Sequence, residues 1–296
     1  MKALLCLLVL ALAPRAAAQG LGQSGDSDRS EVKRPRLTAG GGYSDAPGLA
    51  HRTGRLSAVA PLGRGLSLET SFSDHRIIRD GWLPGELYTA GFRLNARKGK
   101  NSFSAGLRSS SDRLFYSVHE TDLALNAVRT IRAEGAHRFS VGLAYSSRRS
   151  FARGLPFPYV LYTYVTPRLV FNLPFSAVWK PAPGWEASAA YIPPKYFQAG
   201  VSKELSEKFR LKAEYSASAI QFDLAGRPDK AYSVFIEQDN AGLWTYYTPA
   251  GNYTFSLWTG WAVKGKYYRG KTYDEYRDKR PIRGAPAASL NVTRYF

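Results

Sequence analysis

Cysteine is almost absent. The single one, Cys6, lies near the start of the 296-residue chain. Without a second thiol the chain can form no internal disulfide, and the segment beyond Cys6 has no thiolate chemistry. Long apolar runs are missing too. Beyond the first residues, no stretch approaches the ~18 consecutive apolar residues that suggest a membrane helix. Histidine is sparse: His51, His75, His119 and His137 are scattered, with no pair at metal-ligand spacing. Gly40-Gly41-Gly42 has no helix pattern behind it, so it cannot cradle a phosphate. No cofactor and no metal are expected. Stability has to come from burial or from a closed hydrogen-bond network.

The N-terminus has the layout of an export signal. Lys2 is a short positive region, Leu4 to Leu12 is apolar, and Ala16-Ala17-Ala18 precedes Gln19 as a small-residue cleavage site. Residues 1–18 are expected to be a signal peptide. Residues 19–34 are rich in Gly, Ser and mixed charges, and read as a flexible periplasmic tail. Residues 35–296 show no linker and no shift in composition, so they form one domain.

That domain is aromatic and basic. The chain carries 19 Tyr, 15 Phe and 6 Trp, with a formal net charge of +18. Its mean hydropathy is negative. A wall of strands that alternate lipid-facing apolar with lumen-facing polar residues has this profile, and surplus aromatics suit two interfacial girdles. Export argues against nucleic acid as the partner of the positive charge. Anionic lipopolysaccharide, or small anionic solutes in a lumen, fit better, and solvation of loops is the plainer alternative.

From Pro35 onward alternating runs follow one another, separated by turn signals such as Gly63-Arg64-Gly65, Lys98-Gly99-Lys100-Asn101 and Pro181-Ala182-Pro183-Gly184. In the run Phe209 to Phe222, Phe209, Leu211, Ala213, Tyr215, Ala217 and Ala219 share one face, with Arg210, Lys212, Glu214, Ser216 and Ser218 on the other. Leu123 to Arg132 also fits a helical spacing, but Val128, Thr130 and Ile131 favour a strand. Leu169 to Trp179 is interrupted by Pro174, which marks a bulge or a strand end. Asp74 to Glu86 and the charged stretch Lys271 to Arg283 read as long loops. About sixteen candidate runs, some merging at prolines, predict an all-β, antiparallel transmembrane β-barrel of about 14 strands, with about 12 or 16 also compatible with an even count.

The last strand points to a family. Ala288, Leu290, Val292 and Phe296 alternate with Ser289, Asn291, Thr293 and Tyr295, and Phe296 is terminal. This pattern resembles the C-terminal strand of bacterial outer-membrane β-barrel proteins. The resemblance implies residence in the bacterial outer membrane among lipid and lipopolysaccharide. It also implies recognition by the barrel-assembly machinery through Leu290, Val292, Tyr295 and Phe296. Arg294 departs from it, standing where that family usually carries an apolar or aromatic residue. Leu155 to Lys203, with Leu-Pro-Phe-Pro-Tyr and Leu-Pro-Phe-Ser, also resembles a barrel family known only as a domain of unknown function, which implies no activity.

Inward parity selects Arg93, Asn95, Arg210, Lys212 and Glu214 as candidate lumen residues. Inward Arg and Lys select anions in a pore, so a porin-like or transport channel with a basic lumen is expected. Two alternatives stay open. One is a non-conducting structural or adhesion barrel that works through its outer loops. The other is a lipid hydrolase, for which Ser71, Ser73 and His75, or Ser117 and His119, would have to assemble a relay. The chain shows no triad-like order, and no enzyme is expected.

Overall fold

In the computed structural model, residues 34–79, 82–148, 154–192, 196–249, 251–273 and 275–296 are described. The expected signal peptide and nearly all of the N-terminal tail lie outside them. The strands are β1 (Arg36–Ala46), β2 (Leu49–Gly63), β3 (Leu66–Arg79), β4 (Glu86–Lys98), β5 (Asn101–Ser111), β6 (Thr121–Glu134), β7 (His137–Ser146), β8 (Phe157–Val165) and β9 (Leu169–Leu173). They continue as β10 (Ser176–Trp179), β11 (Trp185–Ile192), β12 (Tyr196–Glu204), β13 (Phe209–Phe222), β14 (Ser233–Tyr247), β15 (Tyr253–Gly270), β16 (Arg277–Ile282) and β17 (Ala285–Tyr295).

All seventeen belong to one antiparallel sheet. Each strand from β1 to β15 pairs with the next, β15 pairs with β17, and β17 returns to β1. The closing register runs from Arg36↔Tyr295 to Ser44↔Ala287. Phe296 N–H adds a bond of 2.8 Å to Pro35 C=O. The ring therefore has sixteen strands, with β16 outside it. β16 pairs with the upper end of β15, Gly265↔Ile282 to Arg269↔Arg277. Closure leaves no edge with a row of unpaired amides.

Two readings of the sequence are corrected here. The count is sixteen, one of the even numbers left open, rather than about 14, and Pro174 marks a strand end, in the hairpin turn that splits Leu169 to Trp179 into β9 and β10. The two charged stretches are not simply loops. Asp74 to Arg79 extends β3, and Arg277 to Ile282 is β16. Long neighbours explain both, since β2 offers Arg79 and Ile77 the partners Ala50 and His51, and the 18-residue β15 overshoots β17.

The two ends differ. Turns 64–65, 99–100, 135–136 and 205–208 are short and lie at the end that holds Arg36 and Tyr295. At the first of these Gly63, Arg64 and Gly65 have φ of 85°, 49° and 79°, a left-handed path that glycine takes without strain. The opposite end carries residues 112–120, 147–148 and 154–156, 223–232, and 271–273 with 275–276. These are called the turn end and the loop end below.

Register sorts the faces. The row Trp179↔Ala187↔Val201↔Ala213↔Leu243 projects outward, and Trp179, Val201 and Leu243 are 54, 47 and 40 % exposed. Leu107, Leu123, Val141, Leu257 and Leu290 are exposed in the same way. At the turn end Phe209, Tyr247 and Phe255 stack as an aromatic row. At the seam between β1 and β17 the inner face is crowded: a Cβ on Gly40 would sit 2.0 Å from Asn291 Oδ1.

The interior is filled at the loop end. Ala46, Leu49, Leu83, Leu87, Phe222, Val234, Tyr267, Ile282 and Ala285 form one buried apolar cluster across β1–β4 and β13–β17. Trp82 packs on Tyr267 at 5.4 Å, so segment 82–85 turns into the mouth. β13 then reaches across to β5, with Asp223 N–H donating to Ser110 C=O at 2.7 Å and Ala225 N–H to Asp112 Oδ1 at 2.7 Å. The barrel is pinched there. Phe222 is wholly buried. Phe222→Ala is expected to lower unfolding stability in detergent by about 3–5 kcal/mol. Val118→Ala, at a side chain 77 % exposed, should stay within about 0.5 kcal/mol. Urea titration of both variants checks this.

Candidate functional site

The lumen below the apolar cluster gathers the charged side chains. On the β2–β5 arc, cross-strand register stacks the inner face in four levels. Leu87, His75 and Thr53 are uppermost, then Thr89, Ser73 and Arg55, then Gly91 with Ser71, Ser57 and Arg108, then Arg93 with Glu69 and Val59. His75 marks the floor of the cluster, its ring edge-on to Phe222 at 5.5 Å. Arg55, Arg108 and Arg93 thus occupy three successive levels beneath it. All three remain open to the lumen.

None of the three forms an ion pair within 4.0 Å among the described residues. The acidic neighbours in register are Glu69, opposite Arg93, and Asp122, opposite Arg108. Asp122 is committed elsewhere. Its carboxylate accepts from Ser146 Oγ at 2.9 and 3.0 Å, from Ser147 Oγ at 3.0 Å and from Arg148 N–H at 2.9 Å. Three guanidinium groups thus face the lumen at successive levels of one wall, with no carboxylate within 4.0 Å among the described residues. Asn95, one level below Arg93 on β4, has its buried Nδ2 without a hydrogen-bond partner.

The facing arc, β12–β14, is balanced. Lys212 Nζ lies 2.6 Å from Glu214 Oε2. Glu214 also accepts from Gln198 Nε2 at 2.6 Å and from Trp244 Nε1 at 3.2 Å. Arg210 lies over the Tyr246 ring at 4.5 Å. Of the residues chosen from parity, Arg210, Lys212 and Glu214 form one local group on β13, and Arg93 and Asn95 lie on β4 with the arginine wall. Sequence reading missed Arg55 and Arg108. The signal was present, since Leu56 and Ala58 alternate with Arg55 and Ser57, and Leu107 precedes Arg108. Only register shows that both meet Arg93.

The remaining candidates are dispersed. Ser73 Oγ and His75 Nε2 are 3.4 Å apart, but Asp74 projects from the other face, where it lies 3.3 Å from Arg76. His119 Nδ1 meets Arg148 at 2.8 Å, and Ser117 bonds Glu120 instead. Neither group assembles a Ser–His–carboxylate relay. At the C-terminus Leu290 and Val292 face outward and Tyr295 takes the inner parity. Arg294, the departure from the family pattern, sits over Phe296 at 4.7 Å and Tyr253 at 5.6 Å, so aromatic faces accommodate its charge.

Above the lumen, one ion pair fastens the crossing loops. Arg227 Nη1 lies 2.9 Å from Glu120 Oε1, with Asp223 at 3.7 Å, and the Glu120 side chain is fully buried. Arg227→Ala removes the nearest cation from that carboxylate, leaving Lys230 Nζ at 4.0 Å and the Ser117 hydroxyl, and is expected to cost about 1–3 kcal/mol. Adding Glu120→Gln to Arg227→Ala should recover part of the loss. A double-mutant cycle read by urea unfolding measures both.

No protein-family model matches the chain, over Leu155 to Lys203 or elsewhere, and no curated protein matches it. Among solved structures, it is similar to the Acinetobacter baumannii outer membrane protein Omp33 at 12 % identity, covering 89 % of this chain and 99 % of that one, with a TM-score of 0.37. It is similar to Pseudomonas putida OprB at 10 % identity, covering 95 % and 100 %, with a TM-score of 0.35. It is similar to the NanC porin at 9 % identity, covering 88 % and 100 %, with a TM-score of 0.37.

Proposed function

We propose that the protein is an integral barrel of the bacterial outer membrane whose basic lumen admits small anionic solutes, as a porin-like channel. The observation that carries this reading is the unpaired set Arg55, Arg93 and Arg108 on one lumen wall. A closed sheet satisfies its own backbone, which is the condition for strands to cross lipid. Its outward rows of Leu, Val and Trp suit hydrocarbon, and its aromatic row at Phe209, Tyr247 and Phe255 suits the interface. Short turns at one end and longer segments at the other support an orientation with the turn end in the periplasm.

The same orientation supports two partners. Phe296, with Leu290 and Val292 on the outward face of β17, is offered to the barrel-assembly machinery. At the loop end the Lys264 side chain is 76 % exposed, and Lys271 and Arg277 lie over the Tyr232 ring at 5.1 and 4.5 Å. In that orientation these cations would face lipopolysaccharide phosphates, Lys264 beside Asp239 at 3.7 Å and Arg277 beside Glu275 at 3.0 Å.

Planar-bilayer recordings test the channel. Purified protein is expected to give conductance steps, with a reversal potential in a salt gradient that favours anions. The triple charge reversal Arg55→Glu, Arg93→Glu and Arg108→Glu should move that potential to the cation side. Absence of any steps would instead leave the non-conducting, loop-mediated role.

A further inference from the structure

The wall is low in one place. β9 has 5 residues and β10 has 4, whereas β13, β14 and β15 have 14, 15 and 18. At ~3.3 Å per residue β9 extends about 17 Å. A tilt of about 35–45° reduces its climb to roughly 13 Å, half of an apolar band ~25 Å tall. The strands on either side do not stop there. β8 pairs with β7 as far as Ala144↔Phe157, but with β9 only over Tyr162 to Val165. On the other flank Tyr191 N–H reaches Phe175 C=O in the hairpin turn. Above Tyr162, the far edge of β8 faces no strand among the described residues.

That edge carries few donors. Val165 N–H bonds Ala136 C=O on the β7 side, and Thr166 N–H bonds Leu169 C=O on the β9 side. Alternation therefore points the backbone N–H and C=O of Val160 and the C=O of Pro158 into the gap, and turns the backbone groups of Phe157, Tyr159 and Leu161 toward β7. Proline has no N–H, so Val160 alone presents a donor there. An unpaired amide in hydrocarbon costs several kcal/mol, and proline on an open edge keeps that number down.

Inside, the inner face of β8 carries Phe157, Tyr159 and Leu161, the Phe175 ring of the hairpin turn stands edge-on to Tyr159 at 6.5 Å across the gap, and Asn172 bonded to Ser176 forms the polar lip below. Outside, a shallow groove of about 690 Å³ runs beside the hairpin, floored by Ala177, Ala187, Ala189 and Ala199 and rimmed by Trp179 and Tyr215. Meanwhile the apolar cluster fills the loop-end mouth over β1–β4 and β13–β17.

We infer that the low wall at the β9–β10 hairpin is a lateral passage between lumen and bilayer for an acyl-chain amphiphile with an anionic head. The chain slides past Leu161 and Val160 into the alanine-floored groove, and the head is drawn by Arg55, Arg93 and Arg108. This rests on the reading of a membrane-spanning barrel with a basic lumen.

Single-cysteine probes in a Cys6→Ser background test it. Leu161→Cys and Thr163→Cys both lie on the inner face of β8, one above the last β8–β9 pair and one paired with Asn172. Val160→Cys, facing outward and 63 % exposed, is the positive control for insertion. Each is labelled with bimane and reconstituted in phosphatidylcholine vesicles that contain doxyl-labelled lipid. Quenching at Leu161 should approach that at Val160 and exceed that at Thr163 several-fold. Equal, weak quenching at Leu161 and Thr163 alongside strong quenching at Val160 would overturn the passage, whatever the ion selectivity shows. The second readout is binding of cis-parinaric acid. Arg55→Ala with Arg108→Ala should weaken it about tenfold, and unchanged binding would overturn the anionic head.

Discussion

Backbone amides along this sheet pair from strand to strand, and the pairing of β1 with β17 is what closes the ring. The register Arg36↔Tyr295 joins the two ends of the domain. If those strands did not meet, both would be open edges. Once they do, each strand has one face toward the lumen and one toward the outside, and side-chain parity becomes chemistry. The outer face can then be largely apolar wherever the ladder is complete, because the backbone there is already paired. The inner face is free to be polar, which allows arginines to stand at successive levels beside one another.

The interior uses that freedom unevenly. At the loop end it behaves like the core of a soluble protein, with Phe222, Val234 and Tyr267 buried against Leu83 and Leu87 from the opposite wall. The crossing of β13 to β5 and the Arg227–Glu120 pair hold this packing in place. Below it the two arcs differ in charge balance. On β13 and its neighbours Lys212 is neutralised by Glu214, and Arg210 rests on an aromatic ring. On β2–β5 Arg55, Arg93 and Arg108 face the lumen with no carboxylate within 4.0 Å among the described residues. The low hairpin β9–β10 is where closure is thinnest, and the residues around it are those that tolerate it, namely Pro158, Pro174 and a floor of alanines.

Much of this was legible from parity. In β13 Phe209, Leu211, Ala213 and Tyr215 face out and Arg210, Lys212 and Glu214 face in, as the bare alternation implies. β6 is a strand despite its helical spacing, because β5 and β7 supply ladders on both sides. Register was not legible. Arg55, Arg93 and Arg108 lie on three strands, and nothing local says that they share one wall. The apolar cluster was hidden for the same reason, since Trp82 and Leu83 read as loop residues until Tyr267 and Phe222 are brought to them from far along the chain. Strand number was fixed only by the partners of β9 and β10, which decide that Pro174 is a strand end and not a bulge.

Closure is most directly tested at the seam. Thr38 and Thr293 are register partners whose hydroxyl oxygens lie 2.9 Å apart. In a Cys6→Ser background, Thr38→Cys with Thr293→Cys should oxidise to a bridge within one chain, seen as a mobility shift that reductant reverses. The pair Ala39→Cys with Thr293→Cys, one residue out of register and on opposite faces, should not. Bridging between two chains, or equal bridging in both pairs, would contradict a barrel closed by β1 and β17.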